Sequence, residues 1–347
     1  MAYVLGGGNN EADGFTTAIA NFALRAMHES QGLVNVTNVV TPTQGNTFLV
    51  PNFAPITYAD YNPAGTGGTW GTGDAVVQNP HLNQGSVTAA PAVATTAFDI
   101  FYGWTTSFQL AATLGAELGD SFAEKVDQRV TAAFKSFKAT PGNTNYTATP
   151  ADGFSRPLQL GAMELIASGT SGNVHTDGFT ANSVLELVRN VKQNFKKARM
   201  PGNPVVVLDS NGTAPTGNVA GQTGSSLTRM LAELTGGAVS QSGGSNLSAL
   251  GNELLSSGKI ESVYGCSVYF TTFLPAASRT VANVAAQNTL VGAYFGDSAL
   301  FTVIKEGLQI KSGEVPGGLQ MWLTGVGYFG AGVGDLRRGG AINILQA

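Results

Sequence analysis

Apolar side chains recur through the middle of the chain at helical spacing. From Phe108 they fall at Ala111, Leu114, Leu118, Phe122, Val126, Val130, Ala133 and Phe137, in steps of three and four residues. The mean step is about 3.6 residues, the period of the α-helix. This predicts a helix from Thr105 to about Lys138, about 50 Å long at ~1.5 Å per residue. A second helix is predicted where Val184, Val188, Val191 and Phe195 keep the same period. Ser183 and Glu186 make a capping box at its start, and Pro201-Gly202 stops it. Shorter helices are predicted at Gly14–Glu29, Gln159–Ser168 and Leu227–Leu234. Elsewhere the pattern turns to strands. Pro204-Val-Val-Val-Leu208 is an unbroken apolar run, as expected of a buried central strand. Ile260 to Phe270 alternates like a strand and is interrupted at Gly265. Val34 to Val40, Phe48 to Pro51, Ile56 to Tyr58 and Val87 to Ala97 also read as strands. Gly65 to Gly73 reads as a hairpin tip, and Met321 to Leu345 as β-rich with glycine turns.

Composition changes this picture in one respect. The 347 residues include 46 glycines, about 13% against a usual ~7%, and only 12% are charged, about half the usual ~25%. The aromatics, β-branched residues and length are ample for a buried core, so the chain is not disordered. Its glycines follow no three-residue period, which excludes collagen. A single cysteine, Cys266, excludes an intrachain disulfide framework and a zinc ribbon and fits a reducing compartment. So sparse a charge leaves a free monomer poorly solvated, and points to a subunit whose surface is covered by partners. A secreted β-rich adhesin would also be rich in Gly, Thr and Asn, but the helical periods argue against it.

Charge is also uneven. No lysine or arginine lies between Arg25 and Lys125. Residues 1–124 carry one basic residue and nine acids, and residues 125–347 carry 17 basic residues and 13 acids. Two such regions attract each other, within one chain or between copies. The N-terminus has neither a basic n-region nor an apolar h-region, so no secretory signal is expected. The charge-free stretch Val315–Gly334 holds Pro316 and seven glycines. It is a poor membrane span, and no membrane contact is expected.

Catalytic ingredients are thin. His28, His81 and His175 show no H-x-x-x-H or H-E-x-x-H spacing. No G-x-S-x-G elbow occurs; Gly169-Thr-Ser171-Gly172 comes nearest. Gly325-Val-Gly-Tyr-Phe-Gly330 fits G-x-G-x-x-G, but Gly332 and Gly334 follow where a phosphate-binding helix would have to start. Around Gly258-Lys259, Glu253 and Ile260 break a Walker A pattern. The run Arg189, Lys192, Lys196, Lys197 and Arg199 reads as a solvated helix face or an ionic contact between subunits. Cys266 lies in an apolar alternating stretch and reads as packing. No catalytic, cofactor-binding or metal-ligating residue is assigned, and neither an enzyme nor a cofactor is expected.

The order of elements carries more. An arm precedes a long charge-poor β excursion, then the long helix, a second helix, an α/β region and closing glycine-rich strands. Three local stretches stand with that order. They are Lys196-Lys-Ala-Arg-Met-Pro201 before Val205–Leu208, the segment Gly258-Lys-Ile-Glu-Ser-Val-Tyr-Gly-Cys-Ser-Val-Tyr269 continuing to Phe273-Leu-Pro275, and Phe329-Gly-Ala-Gly-Val333 with Gly340-Ala-Ile-Asn-Ile-Leu345. In these the chain resembles the major capsid protein of tailed bacteriophages, with the Hong Kong 97-type capsid fold. It departs from that pattern at Leu336-Arg-Arg-Gly339, where an arginine-proline turn is expected.

The resemblance implies an α+β fold. Residues 1–40 would be an N-terminal arm and residues 41–100 an extended β loop. Residues 101–200 and 326–347 would form a peripheral domain around the spine helix at about 105–138, and residues 201–325 an axial domain. It implies self-assembly into pentamers and hexamers of an icosahedral shell around double-stranded DNA, which the inner surface contacts without specificity. Extended loops would lie over neighbouring spine helices, where Arg129, Lys135 and Lys138 would meet the acidic arm and loop. With no lysine before Lys125, that loop cannot supply a crosslinking lysine. A scaffolding protein as a separate chain, a portal at one vertex and a cement protein are the other implied partners. The implied location is the virion capsid, assembled in the host bacterial cytoplasm. An encapsulin-type nanocompartment shell is the alternative; the long excursion before the spine helix favours the viral one.

Overall fold

Residues 107–133 form one 27-residue helix, as the apolar period requires, and a single 3-10 turn extends it to Ser136. The structure, a computed structural model, describes residues 18–26, 32–42, 45–53, 82–99, 107–137, 160–166, 180–181, 183–198, 200–210, 259–274, 278–280, 287–314 and 320–345. Within these, a short helix α1 covers residues 18–26, the long helix α2 is Ser107–Ala133, and α3 is Val184–Lys197.

Helix α2 spans two sheets. The first has four strands in the order β1 (Asn38–Val40), β12 (Leu300–Glu314), β13 (Gln320–Val333) and β4 (Ala90–Asp99). Leu118, Phe122 and Val126 of α2 pack on it, together with Phe329 and Leu323 of β13. The second sheet runs β6 (Thr180–Ala181), β5 (Met163–Ile166), β14 (Gly339–Leu345), β11 (Gln287–Phe295), β7 (Val205–Asp209), β9 (Cys266–Thr271) and β8 (Lys259–Val263), with β10 (Ser278–Thr280) paired to β11. Val130, Phe134 and Phe137 cover one face of it, where Phe137 stacks on Phe295 at 6.3 Å. Helix α3 covers the other face with Val184, Leu187, Val188, Val191 and Phe195. Sheet membership thus crosses the expected segment bounds: β12 lies in the four-stranded sheet, whereas α3 and β14 pack into the eight-stranded one.

A two-stranded ribbon, β2 (Thr47–Phe53) and β3 (Leu82–Thr88), packs on the four-stranded sheet. Its root is apolar: Val50 and Val87 are buried against Phe301 and Val303.

The glycines of β13 explain how helix and ribbon approach one strand from opposite sides. A Cβ on Gly327 would stand 2.1 Å from the Phe122 ring, and one on Gly330 would stand 2.2 Å from the Thr88 carbonyl oxygen. No real Cβ tolerates such contacts. The apparent nucleotide motif Gly325–Gly330 is therefore a packing device inside a strand.

Other expectations hold locally. Ser183 Oγ accepts the Glu186 N–H at 3.0 Å, which forms the N-cap of α3. The predicted run 204–208 is β7, paired to β11 and β9. The interruption at Gly265 is a hairpin turn: Tyr264 and Gly265 both have positive φ, 53° and 76°, as a two-residue type I′ turn demands.

Three expectations are corrected. Gln159–Ser168 is not a helix, since residues 163–166 form β5, parallel to β14 with Met163 opposite Ile342. Leu160, Ala162, Met163, Glu164 and Leu165 are all buried. Such a run suits an inner strand covered on both faces, and its i, i+3 spacing only mimics a helix. Val34–Val36 is a 3-10 turn, and the strand begins at Asn38. The Val87–Ala97 strand is divided at Ala89, whose N–H bonds the Asn46 carbonyl at 2.8 Å. Of Gly14–Glu29, residues 18–26 are helical; the remainder, with Ile56–Tyr58, Gly65–Gly73 and Leu227–Leu234, lies outside the described residues.

Candidate functional site

The sequence motifs that tempt a chemical reading resolve into structure. Cys266 is buried on β9 and its thiol points at the Val188 carbonyl, 3.7 Å away. Burial pushes this thiol up to about 12, against a smaller opposing pull from Lys192, so it stays neutral and inert at physiological pH. Lys192 is a structural tie: its ammonium donates to Asn203 Oδ1 at 2.7 Å and to the Gly265 carbonyl at 3.4 Å. Arg189 pairs along the same helix with Glu186 at 3.3 Å. His28, His81, His175 and Arg199 lie outside the described residues. Among the described residues no group of three or more potential metal ligands occurs, and no helix is long and apolar enough to cross a membrane.

The surface is more informative than the interior. The two edges of the four-stranded sheet differ in kind. Beyond the three residues covered by β1, the β12 edge carries Lys305, Glu306, Lys311 and Glu314 and two register shifts. Charges and bulges of this kind discourage strand addition. The β4 edge shows neither from Ala90 to Phe98, and its Val93 is 63% exposed. Leu49 on the ribbon and Val39 on β1 are likewise about half exposed, at 53% and 51%. Exposed aliphatic groups on uncharged strands form a surface that other main chains can pair with or cover. Beside it runs a groove of about 390 Å³ between α2 and β4, lined by Ala92, Val93, Leu118, Phe122, Lys125 and Arg129 among others.

Arg129 fixes the geometry of this region. Its guanidinium donates to the carbonyls of Ala90 at 2.8 Å and Pro91 at 3.1 Å, and also to that of Phe329. It lies 4.3 Å above the Phe329 ring. Burial lowers its pKa, yet it stays charged at any ordinary pH. The cation thus fastens α2 to β13 and to the start of β4, the strand that continues the ribbon. Within the subunit, Nη1 and Nη2 of Arg129 are turned to these three carbonyls. Lys135 is exposed, and Lys138 lies outside the described residues. A second tie holds the ribbon root. Asn46 donates to Tyr328 Oη at 2.6 Å and accepts from Lys305 Nζ at 2.9 Å, while Lys305 stands 5.4 Å over the Tyr328 ring. Sequence reasoning missed both ties, because they join residues more than 30 positions apart on different elements.

At the end of β13, Asp335 caps the next turn and is almost fully buried. It binds Arg337 through two bonds of 2.9 Å and meets Arg338 at 3.3 Å. The hydrogen bonds that Arg337 donates to Asp335 raise the arginine's pKa. This fork occupies the place where an arginine-proline turn is expected.

Comparisons with known proteins agree with this architecture. No family model and no curated protein matches the chain. Solved structures do. The capsid of cyanophage P-SCSP1u is similar at a TM-score of 0.57 and 14% identity, over 90% of this chain and 87% of that one. The mature capsid of bacteriophage PhiM1 is similar at 0.53 and 14%, over 89% and 85%. A virus-like particle from Pyrococcus furiosus is similar at 0.50 and 8%, over 94% and 98%. The chain therefore has the α+β fold found in phage capsids, along nearly its whole length.

Proposed function

We propose that this chain is a major capsid protein that assembles, as pentamers and hexamers, into an icosahedral shell enclosing double-stranded DNA. The observation that carries this is the end-to-end match to the two phage capsids, each covered over more than four-fifths of its length. Two local features support it. The ribbon exposes Leu49 and the β4 edge exposes Val93 on stretches without charge, and Arg129 of α2 fastens the start of β4 while β12 and β13 hold the ribbon root. In this assembly each extended loop, residues 41–100, lies over the spine helix of a neighbour. The arm is residues 1–40. The peripheral domain is best drawn around α2 and the four-stranded sheet, and the axial domain around α3 and the eight-stranded sheet. The role is structural and not enzymatic. A separate scaffolding protein, a portal, packaged DNA and a cement protein are its proposed partners, in a particle built in a bacterial cytoplasm. An encapsulin-type shell is not favoured, since the best-matching particles named above are phage capsids. Sedimentation of the purified protein tests the proposal. Megadalton particles of uniform size are expected with or without added scaffold, and a lasting monomer under all assembly conditions would sink it.

A further inference from the structure

Asp127 stands on α2 with its carboxyl turned inward, only 4% exposed. Oδ1 accepts the Leu33 N–H at 3.2 Å, and the Gly32 N–H bonds the same carboxyl. These two donors lie between α1 and β1, so this one side chain grips the arm by its backbone. A second device lies upstream. Helix α1 rests in a notch on α2: a Cβ at Gly115 would come within 2.6 Å of Phe22 Cβ, and one at Gly119 within 2.2 Å of the Ala23 carbonyl oxygen. Ile19 and Ala23 are fully buried there against Leu118 and Leu323. Carboxyl and notch together seat the described arm on the spine.

We propose that Asp127 is a proton-controlled clasp on the N-terminal arm: the neutral acid keeps the arm seated on α2, and ionisation drives residues 32–33 and α1 toward release. The physical cause is burial. Burial pushes the carboxyl from 3.8 up to about 6, outweighing the two N–H bonds that pull it down. Among the described residues no neighbouring charge contributes. Residues 32–42 and β14 carry no ionisable side chain, and β13 brings only Tyr328. Helix α1 brings Arg25, β12 brings Lys305 and Glu306, and α2 itself brings Glu124, Lys125 and Arg129; none of them shifts Asp127. The seated state holds its proton more tightly than a released one. Seating is therefore strongest in acid, weakens as pH rises from 3.8 through about 6, and is constant above that. If the released carboxyl titrates at its ordinary value, the seating constant falls roughly 100-fold in total, and about tenfold of this lies between pH 5 and pH 8.

Hydrogen exchange on the full chain tests the clasp, read at Leu33 and across residues 18–26 and corrected for intrinsic rates. The wild type is expected to lose about tenfold in protection from pH 5 to pH 8, and Asp127→Asn to show no such slope. Flat wild-type protection, or an unchanged slope in Asp127→Asn, overturns the proposal. Should that variant fail to fold, trypsin gives a second readout on the wild type. Arg25 is the only lysine or arginine before Lys125, so a cut there reports α1 alone. Its cleavage rate, relative to a free peptide of the same sequence, should rise with pH through the same range; a constant ratio overturns the clasp. Gly119→Ala should unseat α1 at every pH without moving the midpoint, and a shifted midpoint would contradict the separate roles of notch and carboxyl.

Discussion

Gly327→Ala adds one methyl group where β13 meets α2. The new Cβ would stand 2.1 Å from Phe122 Cε2 and 3.0 Å from Cζ. Carbon atoms rest at about 3.5–4.0 Å, so the ring must retreat by about 1.5 Å. Phe122 is buried and meets Phe329 edge-on, with centroids 4.9 Å apart at 66°. Disturbing that pair costs about 0.5–1.5 kcal/mol, and overpacking a core costs about 1–3 kcal/mol. Replacing glycine restricts the unfolded chain, which offsets about 0.4–1 kcal/mol. A net loss of about 1–3 kcal/mol is expected. Urea unfolding of the unassembled subunit measures it, for Gly327→Ala, Phe122→Leu and the double variant. The smaller leucine leaves room for the methyl, so the double variant should be more stable than additivity predicts by about 1 kcal/mol or more. A stabilised Gly327→Ala protein, or strictly additive variants, would refute the role of this glycine as a seat for the helix.

Three further outcomes follow from named contacts. Arg129→Lys keeps the charge but cannot fork across three carbonyls on two strands, so a loss of about 1–2 kcal/mol is expected; faster amide exchange near Ala90 checks it, and unchanged exchange there contradicts it. Tyr264 is exposed and sits at φ 53°, so Tyr264→Asn should stabilise by about 0.5–1 kcal/mol; a lowered Tm would mean that the ring holds the turn in some other way. Cys266 is buried, with its thiol pushed up to about 12, so a thiol reagent should label it only as fast as the subunit unfolds, with no thiolate-driven rise between pH 7 and pH 9; rapid labelling of the native protein would contradict this.

Elements whose signal is local were legible in the sequence. Helix α2 keeps one apolar stripe because one side of it is always covered, first by β13 and then by β11 and β14. Ser183 caps α3 from three residues away, and Tyr264-Gly265 makes its turn with its own backbone. The strand at Met163–Ile166 was not legible, because an inner strand buried on both faces has no period of its own. The apolar composition at 160–165 is shared by a buried helix, and the partner that decides the matter, β14, lies about 180 residues further along. The glycines of β13 were equally opaque: their spacing matches a phosphate loop, and only the positions of Phe122 and Thr88 show what they admit. Arg129 and Asp127 sit one helical turn from ordinary surface residues of α2, and nothing in their spacing marks that one grips β4 and the other the arm. The low charge was a better guide. It pointed to covered surface, and the most exposed of the large aliphatic side chains among the described residues, Val93 and Leu49, stand on the β4 edge and the ribbon.

Cryo-electron microscopy of particles formed by the purified protein tests the central claim most directly. The account predicts closed icosahedral shells built of pentamers and hexamers, with the β2–β3 ribbon of each subunit laid across α2 of its neighbour. Open aggregates or monomers alone, or closed shells in which every ribbon folds back on its own subunit, would contradict it.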